Sequence, residues 1–235
     1  LRRAETATVE AGARIEARAA AGAGGSVILW ADRATRFDGA IYVTGPVSGG
    51  FAETSAIDLL EIGDAASVDV GPGGHWLIDP VNITISAAQA ATIVGTLNGG
   101  GNVTVTTEQP GAQLGNLVVN SDIVWSGAGN LTLFANNNLT VNDAVAITTA
   151  GAGSLDARAL VDTLIAGPVT SSGTGSIRFD TGRSLVVNSD VIASGSGSVT
   201  LLAGTGDIIA SNAGNDRNVT ISTTSGTLRI GATEG

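Results

Sequence analysis

The residues LVVNSDIVWSGAGNLTLFA, Leu117 to Ala135, return as LVVNSDVIASGSGSVTLLA, Leu185 to Ala203, with 12 of 19 positions identical. An offset of 68 residues is long for a helical or ankyrin-type unit, so a shorter period is sought inside it. A pattern of small polar residue, aliphatic, any residue, aliphatic supplies one. It occurs as NITI at Asn82, NVTV at Asn102, NLTL at Asn130, SLDA at Ser154, SIRF at Ser176, SVTL at Ser198 and NVTI at Asn218. The anchors lie 20 to 28 residues apart, which makes the long offset three turns of a unit of about 22 residues.

Each unit reads as three short strands divided by turn clusters: LVV, then NSD, then IVW, then SGAGN, then LTLF. Strands this short are stable only when each pairs with its copy on the neighbouring coils and alternate side chains enter a shared core. The expected fold is therefore all-β, a right-handed parallel β-helix of about 22 residues per coil and roughly ten coils, the hand following the rule for parallel crossovers. Alternation points Ile83, Ile85, Val103, Val105, Leu131, Leu133, Val199, Leu201, Val219 and Ile221 inward, and Thr84, Thr104, Thr132, Thr200 and Thr220 outward. The glycines of GAGN, GAGS, GTGS and GSGS, just before the same strand, are expected to form corners with positive φ. The segment EAGARIEARAAAGAGG, Glu10 to Gly25, has helical composition, yet Val9, Ala11, Ala13, Ile15, Ala17 and Ala19 alternate and run into a corner and strand, so it is read as coil.

Composition narrows the function classes. The formal charge is −10 and all 11 basic residues are arginines, which leaves no basic patch for a nucleic-acid backbone and argues against nucleic acid as a partner. Cysteine is absent, so disulfides, thiolate catalysis and sulfur-ligated metal are excluded. No apolar run is long enough to span a membrane. LRRAETATVE at the start has no apolar segment of a signal peptide, and the chain reads as a fragment.

At two places the residues resemble a known family. GGSVILWADRATRFDGAIYVTGPVSGGFAETSA, Gly24 to Ala56, followed by GPGGHWLIDPVNITIS, Gly71 to Ser86, is similar to the segment just after the secretion domain in filamentous-haemagglutinin-type exoproteins of two-partner secretion systems. In that family a G-x-W-L-x-D-P-x-x-I-T-I line commonly marks the start of a β-helical array. The resemblance covers roughly residues 24 to 86; the remainder matches as generic repeats. It divides the chain into coils resembling that segment, residues 1–86, and continuing repeats of the same solenoid, residues 87–235. It implies a secreted structural segment of a bacterial surface fibre, an adhesin attaching to cells or surfaces, with an outer-membrane two-partner secretion transporter and a host or surface receptor as partners. Open sheet edges at the terminal coils add an expectation of end-to-end self-association.

No enzyme, cofactor or metal is expected. His75, the single histidine, has only Asp79 near it in sequence, and a packing role outweighs a catalytic one. The expected partner of that packing is a turn in which Asp79 accepts backbone hydrogen bonds. No two acids are adjacent, and the NSD acids Asp122 and Asp190 repeat with the scaffold, whereas an active site is built once. The rival reading is a β-helical polysaccharide lyase or hydrolase. GTGDII, Gly204 to Ile209, occurs once and reads as a glycine turn before a strand rather than a calcium repeat. Five Asn-aliphatic-Thr sequons, at Asn82, Asn102, Asn130, Asn138 and Asn218, are candidate glycosylation sites, with hydrogen bonding along the rod as the plainer role. A candidate ligand loop lies in Thr106 to Gly115, carried by Glu108, Gln109 and Gln113, and Ala157 to Pro168 is a second possible departure from regular coils.

Overall fold

The computed structural model describes residues 4–109, 111, 113–211 and 218–232. The chain is a parallel β-solenoid of about eight turns, about 24 residues apart, with three walls visited in the same order on every turn. The third wall is unbroken. Its nine strands are Ser26–Ala31, Phe51–Ala56, His75–Pro80, Asn102–Thr106, Leu131–Ala135, Leu155–Ala159, Ile177–Thr181, Val199–Ala203 and Leu228–Ala232. The 68-residue repeat spans three coils: Leu117 pairs with Leu139, Leu139 with Thr163 and Thr163 with Leu185, all parallel.

The turns are fewer and longer than the sequence spacing implied, because two of the seven anchors lie on other walls. Asn82 precedes Ile83–Ile85, a first-wall strand, and Asn218 leads into Ile221–Thr223 on the second wall. The third-wall strands of those turns are His75–Pro80 and Leu228–Ala232. A pattern shared by every strand of a solenoid does not say which wall a strand belongs to. Alternation survives this slip: Ile83, Ile85, Val103, Val105, Leu131, Leu133, Val199 and Leu201 are buried, while Val219 and Ile221 are half-buried. The five threonines between them are exposed or half-buried. Glu10 to Gly25 is coil as expected, with the strand Arg14–Glu16, although Ala11 and Ala13 are exposed.

One element was not anticipated. A helix, Ala87–Asn98, takes the place of a second-wall strand between Ser67–Asp69 and Ile123–Trp125. Ser86 caps it, accepting from the Gln89 amide, while the Gln89 side chain accepts from the Ser86 amide. Ile93 and Leu97 are buried in the core. A helix cannot continue a hydrogen-bond ladder, so the strand edges it meets need other partners. The hydroxyl of Thr92 donates to the Ala66 carbonyl (3.2 Å) and that of Thr96 to the Val68 carbonyl (2.7 Å), closing the edge of Ser67–Asp69. On the other side Asn98 Oδ1 accepts from the amides of Ser126 (2.9 Å) and Gly127 (3.1 Å). The first wall also breaks here, between Leu59–Ile62 and Ile83–Ile85.

The corner glycines have a different cause from the one expected. None of those in GAGN, GAGS, GTGS or GSGS has positive φ. They stack. A Cβ on Gly129 would lie 2.1 Å from the Gly101 carbonyl oxygen, one on Gly153 2.1 Å from that of Gly129, one on Gly175 1.9 Å from that of Gly153, and one on Gly197 1.9 Å from that of Gly175. Glycine is required because successive coils touch backbone to backbone at this corner.

Candidate functional site

Four of the five sequon asparagines, Asn82, Asn102, Asn130 and Asn138, belong to ladders of side-chain oxygens that catch amides one coil further on. Asn102 Oδ1 accepts from the Asn130 amide (3.0 Å) and Asn130 Oδ1 from the Ser154 amide (2.9 Å). The chain of contacts continues through Ser154 Oγ to Ser176 N and Ser176 Oγ to Ser198 N, each at 3.0 Å. A second ladder enters the first wall. Asn82 Oδ1 accepts from Gly115 N (2.9 Å) and Asn116 N (2.6 Å), and Asn138 Oδ1 accepts from Asp162 N (3.1 Å). The small polar residue that opens the anchor motifs from Asn82 to Ser198 is therefore a corner fastener, since a strand entrance leaves an amide without a ladder partner. Asn102 and Asn130 also commit their side-chain nitrogens, to Gly74 O and Asn102 Oδ1. Asn82 and Asn218 are exposed and Asn138 half-buried. The NSD acids act likewise: Asp122 Oδ1 accepts from Ala146 N (2.8 Å) and Asp190 Oδ1 from Thr220 N (2.7 Å).

The loop after Asn102–Thr106 is an insertion between two regular strands. Asp79, buried at the end of its third-wall strand, anchors it by accepting from Glu108 N (3.1 Å) and Gln109 Nε2 (2.8 Å). The expected hydrogen bonding of Asp79 is present, made from a strand to the next coil rather than within a turn. Burial pushes its carboxyl above the ordinary carboxylate range, opposed by those two hydrogen bonds and reinforced by the neighbouring charges of Glu108 and Glu53. Glu108 also accepts from Thr106 Oγ1 (3.2 Å), and Glu53 from Ser55 Oγ (2.9 Å). Acids that are scattered in sequence thus meet from successive coils. Gln113 is exposed. Ala157 to Pro168 is no departure: it holds the regular strands Leu155–Ala159 and Thr163–Ile165.

His75 packs edge-on against Phe51, with ring centroids 5.9 Å apart, and its Nε2 lies 2.8 Å from Thr104 Oγ1. Burial lowers its pKa and favours the neutral ring. It does not contact Asp79. In Gly204 to Ile209 a turn, Gly204 to Asp207, precedes the strand Ile208–Ala210, and among the described residues no three His, Asp or Glu side chains converge as a metal site would need. No described helix is long and apolar enough to cross a membrane.

Sequence reasoning missed the charge pairing on the rod's outer faces. Asp156 and Arg158 on one third-wall strand stand opposite Arg178 and Asp180 on the next, so each charge faces an opposite one both along and across the strands. Arg158 bonds Asp156 at 2.7 Å, and Arg178 lies 3.6 Å from Asp156 and pairs with Asp180. Arg183 grips Asp162 with two nitrogens, holding its carboxyl below the usual range. This pair borders a shallow groove of about 380 Å³ over the outward Thr140, Leu164 and Val186. The signal was present as D-x-R followed by R-x-D at the coil spacing, visible only once register is known. Comparison with known proteins returned no match to a family model, a curated protein or a solved structure.

Proposed function

We propose that this chain is a non-enzymatic structural segment of a secreted bacterial surface fibre, an adhesin of the filamentous-haemagglutinin type. In this reading it leaves the cell through an outer-membrane two-partner secretion transporter and holds binding parts away from the surface. The observation that carries it is the unbroken third wall, whose nine strands and corner ladders repeat the same contacts from coil to coil. Polar side chains at the corners are spent on fastening coils, which is what a load-bearing spacer requires. The export route rests on the motif resemblance of residues 24–86 to the post-secretion-domain segment.

One observation favours the rival, a β-helical polysaccharide lyase or hydrolase: Glu53, Asp79 and Glu108 interact, and Asp79 has a raised pKa. Against it, both Asp79 oxygens accept hydrogen bonds from the neighbouring coil and the group is buried. The purified chain is incubated with acidic plant and bacterial polysaccharides, with and without calcium. Release of no reducing ends or unsaturated products is the expected result. Product release abolished by Asp79→Asn would replace the spacer reading with the enzyme.

A further inference from the structure

Where the helix replaces a strand, it stands beside the second-wall strand Ser67–Asp69 and leaves a slot of about 290 Å³ on the outer surface. Its walls are Tyr42 on one side and Ala91 and Gly95 on the other, with Ser67 and Asp69 between them. Tyr42 is the chain's single tyrosine. Its ring is held by two guanidiniums, Arg14 at 5.0 Å and Arg18 at 4.2 Å from the centroid, and its hydroxyl accepts from Arg14 Nη2 at 3.3 Å. A methyl group on Gly95 would meet nothing within 4 Å, so the helix side of the slot is open. Asp69 Oδ1 accepts from the Gly71 amide (3.0 Å), while its second oxygen and the Ser67 hydroxyl bond no other described residue.

We propose that this slot binds a neutral pyranose unit of a glycan. A pyranose is amphiphilic in the same way as the lining: a carbon–hydrogen face that packs on an aromatic ring, and hydroxyl edges that pair with a carboxylate and a hydroxyl. The volume lies at the small end of ligand pockets, room for one or two sugar rings and not for a large ligand. Competing occupants fit worse. An extended peptide would need the edge of Ser67–Asp69, but Thr92 and Thr96 already occupy its carbonyls. An apolar partner would find little beyond alanine, glycine and one ring at the walls, and an anion would meet the carboxylate of Asp69. The proposal stands apart from the surface-fibre reading, because the slot's chemistry depends on no export route.

The test is saturation-transfer NMR on the 235-residue chain, with methyl galactopyranoside, methyl mannopyranoside and N-acetylglucosamine as neutral probes and glucuronic acid as the charged one. Transfer to the ring protons of at least one neutral probe is expected. Tyr42→Ala should weaken binding about tenfold, the contribution of one aromatic platform. Gly95→Leu, which fills the slot and improves helix propensity, should abolish transfer while leaving the thermal melt intact. Thr170→Ala, on the outer face of a distant coil, should change nothing. Absence of transfer to all three neutral probes, transfer to glucuronic acid alone, or transfer undiminished in a folded Gly95→Leu chain would each overturn the proposal.

Discussion

Replacing Gly175 by alanine isolates the backbone contact that sets the coil spacing. The added methyl would lie 1.9 Å from the Gly153 carbonyl oxygen, where side-chain carbons essentially never come closer than 3.0 Å. The two coils must therefore part locally by about 1 Å, on a strand spacing of about 4.8 Å. Among the hydrogen bonds that join them here, two follow Gly175 directly: Ser176 N to Ser154 Oγ at 3.0 Å and Leu155 N to Ser176 O at 2.9 Å. Stretching both by that amount breaks them, at about 1 kcal/mol each, and overpacking strain adds about 1–3 kcal/mol, for a loss of about 3–5 kcal/mol. Gly95→Ala is the control: its methyl meets open space on the helix, and the substitution should gain about 0.5–1 kcal/mol. Gly73, with φ +71 and nothing within 4 Å, tests the other role of glycine and should lose about 1–2 kcal/mol as alanine. Urea unfolding followed by circular dichroism reads all three. A Gly175→Ala chain within about 1 kcal/mol of the parent, or no less stable than Gly73→Ala, would refute the stacking argument.

Leu133→Asp, which buries an unpaired charge in the core column, should cost several kcal/mol, while Thr132→Asp on the outer face should be tolerated; equal losses in thermal melts would contradict the alternation. Thr96→Val keeps the helix's packing but leaves the Val68 carbonyl unpaired, and a loss of about 1–3 kcal/mol is expected, with faster amide exchange in Ser67–Asp69. Asp79 has a raised folded-state pKa, so its contribution is fully present below its unfolded value near 3.8 and is lost as pH rises through the folded value. The parent should therefore gain stability relative to Asp79→Asn as pH falls from neutral towards 4, a comparison in which His75, present in both chains, cancels; a constant difference in melting temperature would show that the carboxyl is not perturbed.

The alternation of Leu131 and Leu133 with Thr132 was legible because strand periodicity is a local property, carried by adjacent residues and insensitive to the fold around them. The helix was equally local in its signals, Ser86 and Gln89 forming a capping box ahead of an alanine-rich run, but the regular anchor spacing from Asn82 to Asn102 concealed it. The same spacing hid the slip between walls at both ends of the array.

The site residues divide along this line. Asn102 and Asn130 could be picked out as outward, motif-bearing residues from sequence alone, yet only register showed that their oxygens fasten the next coil. Glu53, Asp79 and Glu108 are more than twenty residues apart in sequence at each step and come together solely because one turn of the solenoid returns the chain above itself. Tyr42, Arg14 and Arg18 gave no motif, since their juxtaposition with Gly95 depends on a helix displacing a strand. Short-range periodicity thus determined that this chain coils and which faces it buries. Which wall each strand joins, where glycine must stand and which polar groups meet were decided by the stacking of coils, because those contacts link residues a full turn apart and their strength depends on ångström-scale register that no local pattern encodes.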